Sequence, residues 1–257
     1  MASFDPGPTP AVAKLFGQLP TYAPFKDSFW FDWGPVFYRG RLNRSARLLC
    51  IASDPGPTER IANRTLVGDA GQRVQGFLKK LGLTRSYVCL NAFAYAMIPT
   101  QAATAGPLLT DPAHTKWRND LFALVTGPKL QAVVAFGKEA QTALSLWPGQ
   151  GGVPTFKVPH PSSHDEAALL AAWKTAITAL RSVVTPDSKA LATAPNYGAT
   201  FVERDYATIP AADLPFGVAP HLGNDAWVRK ATPAHPSSVT RPQPDDRHTL
   251  IWKAPVL

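Results

Sequence analysis

The sequence predicts an α/β fold of three layers, α/β/α, with helices on both faces of a central, mostly parallel four-stranded sheet. Two observations carry that expectation. Between about residues 46 and 184, short apolar runs alternate with longer amphipathic runs of helical period, and glycine or proline punctuates their ends. The short runs are largely apolar, as strands buried on both faces must be. Alternating strands and helices imply a parallel sheet.

The elements follow in order. Leu48 to Ala52 reads as a buried strand. Arg73 to Leu81 is a short amphipathic helix stopped by Gly82. Tyr87 to Phe93 is a second strand, and Trp117 to Val125 a helix ended by Gly127-Pro128. Val133 to Phe136 is a third strand closed by Gly137, and Lys138 to Trp147 a helix ended by Pro148-Gly149. Thr155 to Val158 is a fourth strand, and Asp165 to Val184 a long Ala-rich helix. Ahead of these, residues 1–46 are rich in proline and aromatics. There Phe29-Trp30-Phe31-Asp32-Trp33 is followed by Arg39, Arg41, Arg44 and Arg47. Such a segment either stacks bases and holds phosphates, or packs its rings on the core and leaves its arginines solvated. Residues 1–184 are read as one domain and 185–257 as a Pro-rich extension. Trp227 and Trp252 favour partial docking of that extension, since exposed tryptophans are unfavourable.

Composition narrows the class. The chain has 257 residues, 45% hydrophobic and 17% charged, enough to bury a sizeable core. Apolar runs such as Ala132 to Phe136 are too short to cross a bilayer. Met1-Ala2-Ser3-Phe4-Asp5-Pro6 has neither the basic nor the apolar region of a secretory signal, so a cytoplasmic protein is expected. Cys50 and Cys89 lie in strand-like runs and read as buried reduced thiols. Two thiols cannot supply a four-cysteine iron–sulfur site, and no zinc motif is present, so neither metal nor cofactor is expected. The net charge is +8; residues 185–257 hold seven basic and seven acidic residues, so the whole excess lies in residues 1–184. A basic body suggests a polyanionic partner.

Parallel sheets bind ligands beyond the C-terminal ends of their strands. After the first strand comes Ser53-Asp54-Pro55-Gly56-Pro57-Thr58-Glu59, after the second Asn91, and after the fourth His160-Pro161-Ser162-Ser163. Each has a purely structural reading too: an Asx-turn, a loop cap, a satisfied loop histidine. Their convergence on one sheet edge favours a site. A second His-Pro-Ser-Ser, at 235–238, does not follow a strand and is not expected to belong to that site.

Five blocks in order carry a resemblance. They are Ile51 to Glu59; Leu66-Val67-Gly68-Asp69-Ala70-Gly71-Gln72; Gly82 to Arg85 with Val88 to Asn91; Val133 to Gly137; and Pro159 to Ser163. Together they resemble the uracil-DNA glycosylase superfamily, with spacing closest to the family 4 branch and an Asp-Pro similar to that of family 1. The resemblance implies a monomeric, monofunctional DNA glycosylase of base excision repair. It would flip uracil, with other deaminated bases as further candidates, out of DNA and hydrolyse the N-glycosidic bond. It implies that Asp54 activates the water and stabilises the sugar cation, that Asn91 reads the pyrimidine edge, and that His160 donates to the leaving base. Ser53, Pro55, Ser162 and Ser163 would meet DNA phosphates, while Leu66, Phe93, Gly56 and Glu59 would shape the base pocket.

The departures matter as much. The iron–sulfur cysteines of family 4 are missing. Leu66 stands where the family has a stacking Phe, so Phe93 is the expected substitute ring. Gly56 stands where family 1 has a Tyr against thymine, which implies a roomier pocket. Glu59 either narrows the mouth or is a solvated loop carboxylate. The basic insert of the covalently trapping branch is not visible after Asn91. Two other readings remain at this point: a non-catalytic nucleic-acid-binding member of the same fold, and a hydrolase of free nucleosides, which would need no basic surface.

Overall fold

The computed structural model describes residues 4–218 and two short paired strands, β8 (Val239–Thr240) and β9 (Ile251–Trp252). The central sheet runs β2 (Tyr38–Gly40), β4 (Tyr87–Asn91), β3 (Leu48–Ala52), β6 (Ala132–Phe136), β7 (Thr155–Val158). The last four are parallel, and β2 is antiparallel on the β4 edge. The sheet is therefore mixed and five-stranded, not four-stranded. β2 escapes the sequence because it has three residues with a charged one at its centre, Arg39, which is fully buried. Its guanidinium donates to Thr65 O at 3.0 Å and Gln75 Oε1 at 2.7 Å, and pairs with Asp213 at 3.1 Å. A buried charge so paired sits where an apolar residue would be expected.

Side-chain alternation along the strands builds the layers. Leu48, Cys50 and Ala52 of β3 and Ala132, Val134 and Phe136 of β6 pack on one face. There they meet α3 (Asp69–Lys80) through Phe77 and Leu78, and α7 (Glu166–Val183) through Trp173 and Ile177. Leu49, Ile51, Val133 and Ala135 pack on the other face. That face is covered by α1 (Pro10–Phe16), α5 (Pro112–Val125) and α6 (Lys138–Ser145). Two further short helices, α2 (Pro57–Ala62) and α4 (Ala102–Ala105), and the two-stranded ladder of β1 (Phe29–Trp30) and β5 (Ala96–Met97) lie in the connections. Among the described residues no helix is long and apolar enough to cross a membrane.

Helix ends follow local chemistry. Asp111 accepts from the amides of Ala113 and His114, and Pro112 opens the helix, so α5 starts five residues before the expected Trp117. α3 also begins early, at Asp69, because its glycines are packing sites. A Cβ on Gly71 would lie 1.9 Å from the Leu66 carbonyl, and one on Gly76 the same distance from the Asp205 carbonyl.

Residues 185–218 form a strap over the domain, held by three aspartates. The Asp187 carboxylate accepts from the amides of Thr84, Arg85 and Ser86, each at 2.9 Å. Burial works against its charge, but the Ser86 hydroxyl and these amides outweigh that and hold the carboxyl below the usual range. Asp205 pairs with Lys80 at 3.4 Å, and Asp213 with Arg39 and Arg41. Trp227 and His235 lie outside the described residues.

Candidate active site

Because β4, β3, β6 and β7 run parallel as neighbours, their C-terminal ends fall on one edge. The pairing of Ala52 with Asn91 and of Phe136 with Val158 sets the ends level. Asp54, Asn91, Gly137 and His160 therefore share that edge. Beyond the ladder the zip continues: Ala92 N donates to Ala52 O at 2.8 Å and Phe93 N to Ser53 O at 2.9 Å. Asp54 is half-buried, and its Oδ2 accepts from Met97 N at 2.9 Å. One carboxylate oxygen thus anchors β5.

Asn91 is 7% exposed, and neither its Nδ2 nor its Oδ1 has a hydrogen-bond partner. Leaving both ends of a buried carboxamide unmet costs about 1–3 kcal/mol per group. A site that takes a donor–acceptor edge would supply the missing partners.

His160 is half-buried, and its Nδ1 accepts from Ser162 N at 3.2 Å. An N–H aimed at Nδ1 requires a lone pair there, so the neutral ring carries its proton on Nε2. Gly137 makes room for this ring. Its φ is +88°, and a Cβ would lie 3.0 Å from His160 Cβ. The loop is held from behind by Arg73, which sequence reading missed. Arg73 donates to Pro161 O at 2.8 Å and Tyr206 OH at 3.1 Å, pairs with Asp69 at 3.1 Å, and lies 4.2 Å over the Phe201 ring. In the sequence it is one arginine on a helix with an acid four residues earlier, the pattern of a solvated ion pair.

The pocket-shaping residues are placed as follows. Glu59 is 7% exposed, and its Oε1 accepts from Val67 N and Gly68 N, both at 2.7 Å. It is a buried anchor of the turn into α3, not a solvated carboxylate. Its Oε2 lies 2.6 Å from where a Cβ on Gly56 would stand. The space expected beside Gly56 is thus filled by Glu59. Leu66 is 5% exposed, belongs to the core cluster of Phe77 and Phe136, and has φ +56°. Phe93 is 1% exposed and packs on Phe29, ring centres 5.3 Å apart. Ser162 is exposed and Ser163 half-buried, whereas Ser53 and Pro55 are buried.

The N-terminal segment divides between its two readings. Phe29 is in the core, while Phe31 and Trp33 are 40% and 67% exposed. Arg39, Arg41 and Arg47 are taken by Asp213 and Asp187 of the strap. Asp32, next to Trp33, forms an ion pair with Arg60 of α2.

The donor set does not fit an iron–sulfur cluster. Both cysteines of the chain are buried and directly paired across β3 and β4, and there are no others.

Among curated proteins, no relative matches the chain. A family profile, that of the uracil DNA glycosylase superfamily, matches residues 39–177, from β2 into α7. The match takes in the whole parallel sheet with the strand ends just described, and it covers more than half of the sequence. On that ground the chain belongs to the uracil DNA glycosylase superfamily.

Proposed function

We propose that this protein is a monofunctional DNA glycosylase that excises uracil. The observation that carries this reading is Asn91, a buried carboxamide with both polar ends unpartnered at the sheet edge that also bears Asp54 and His160. Uracil offers an adjacent acceptor and N–H, which one amide meets in a single plane. Family membership supports glycosylase-like chemistry in general, and the +8 charge of the chain suits a DNA substrate.

The reaction divides among the three side chains. The target nucleotide leaves the stack and enters the pocket, where Asn91 holds its edge. The C1′–N1 bond breaks, and its electron pair passes to the base. The Nε2–H of His160 donates to the O2 that gains this charge; a preorganised donor of this kind is worth roughly 2.7–4 kcal/mol. The Asp54 carboxylate opposes the positive charge developing on the sugar, then accepts a proton from the water that adds to C1′. Ser162 and Ser163 meet the phosphates that keep the bent strand in place. Other deaminated bases are expected to be weaker substrates, because the carboxylate of Glu59 occupies the room beside Gly56.

One gel tests the reading. A uracil-containing oligonucleotide is incubated with the protein and treated with alkali. The wild type is expected to cut at uracil, and Asp54→Ala to lose at least 100-fold in rate while still binding DNA. Wild-type turnover by Asp54→Ala overturns the assignment.

A further inference from the structure

We propose, on the reading of this site as that of a DNA glycosylase, that the groove between the N-terminal aromatic segment and Tyr95 is a subsite for an unstacked nucleobase next to the excised nucleotide in the same strand. The groove holds about 480 Å³, and Tyr22, Phe31 and Tyr95 line it with Lys26. Its rings are set edge-on or tilted to one another, and Phe31 among them is 40% exposed. Phe31 and Tyr95 are 4.8 Å apart, and Tyr22 and Tyr95 are 4.9 Å apart. Every nucleobase has a π-face, so such a site stacks bases without selecting sequence. Lys26 adds the charge that a neighbouring phosphate needs.

The groove shares its wall with the reaction site. Tyr95 lies between Asn91 and β5, and Met97 of β5 donates to Asp54 at 2.9 Å. Trp30 of β1 pairs with Ala96 of β5, and the Tyr22 hydroxyl accepts from Ala94 N at 2.9 Å. Burial raises the Tyr22 phenol well above its ordinary value, with smaller contributions from the charges of Tyr95 and Asp54. A nucleotide turned out of the stack toward Asp54 would bring its strand neighbours near this shared wall. Two other grooves are placed otherwise. One is lined by Arg47 and Ser86, which precede β3 and β4 at the opposite sheet edge, and the other lies under the strap.

The lip is built to present rings. Trp33 lies between the groove-lining Phe31 and Pro35, two-thirds exposed, with φ +74°. Beside it, the Asp32–Arg60 ion pair ties the turn to α2.

The test varies the neighbouring base. Single-stranded oligonucleotides carry one uracil whose 5′ or 3′ neighbour is either a normal nucleotide or an abasic tetrahydrofuran residue. For wild type, removing one neighbouring base is expected to lower kcat/KM on the order of 10- to 100-fold. Phe31→Ala with Trp33→Ala should lose the same factor on the intact strand and lose little more on the abasic one, because both changes remove one contact. Losses that multiply, or no effect of either change, overturn the subsite. Anisotropy titrations with the same strands lacking uracil read the subsite without excision. A protein whose binding depends on the neighbouring base but which cuts nothing overturns the glycosylase reading and leaves the subsite standing.

Discussion

At the scale of single residues, Asn91 joins a proposed function to a cost in the same side chain. Its two unmet polar ends weaken the folded state until a ligand meets them. Asn91→Leu, which keeps the volume and removes both groups, is expected to stabilise the free protein by about 1–2 kcal/mol and to lower uracil excision by 100-fold or more. Chemical denaturation and single-turnover excision on the same preparation check both halves; a variant that loses stability along with activity would make Asn91 a structural residue. Glu59 shows a different economy. One oxygen closes the turn at Val67 and Gly68, and the other fills the space beside Gly56. The positions of Asp54, Asn91 and His160 were legible in the sequence because each closes or follows a strand, and strand ends are set by local pattern. The tautomer of His160 and the unmet state of Asn91 were not, because they depend on atoms brought near only by folding. Leu66 and Phe93 were read as base platforms; their burial in two core clusters is a through-space fact that no local pattern carries.

At the scale of elements, α3 does more than cover the sheet. It carries Arg73, which joins the carbonyl of Pro161 to the strap through Tyr206 and Phe201. Arg73 is a positioning residue for the His160 loop. Arg73→Ala is expected to reduce kcat about tenfold with KM nearly unchanged, since the loop's donor acts as charge develops on the base. Arg73→Lys should recover only part of it, because a lysine cannot lie flat on Phe201 and also reach two acceptors. Steady-state kinetics on uracil oligonucleotides separate the two constants; a rise in KM alone would assign Arg73 to DNA binding instead. The four parallel strands and four of the helices could be read from the sequence to within a few residues, except where glycine or proline hid a helix start. Gly71 marks a close approach inside α3, and Pro112 opens α5, yet in the sequence each looks like a breaker. β2 was hidden by the opposite ambiguity, a charge that is buried because a distant aspartate pairs with it.

At the scale of the whole molecule, the strap completes the charge balance of buried cations in the sheet and in α3. Arg39 is fully buried, Lys80 is 6% exposed, and their carboxylate partners are Asp213 and Asp205. Removing one partner of a buried pair costs about 3–5 kcal/mol, a large share of the stability of a single domain. A chain ended after residue 184 is therefore expected to show no cooperative unfolding transition, whereas one ended after residue 218 should unfold cooperatively; circular dichroism during urea titration distinguishes them. Equal stability of the two chains would show that the strap is dispensable. The same pairing orders events during synthesis. Arg39 and Asp213 are 174 residues apart. At roughly 5–20 residues per second, the ribosome releases the second on the order of 10–30 seconds after the first. All three proposed reacting side chains have been made by residue 160, yet the edge strand beside them still lacks its counter-ion. A nascent chain thus exposes these three side chains while the neighbouring buried arginine is still uncompensated, and only synthesis of the strap closes that interval.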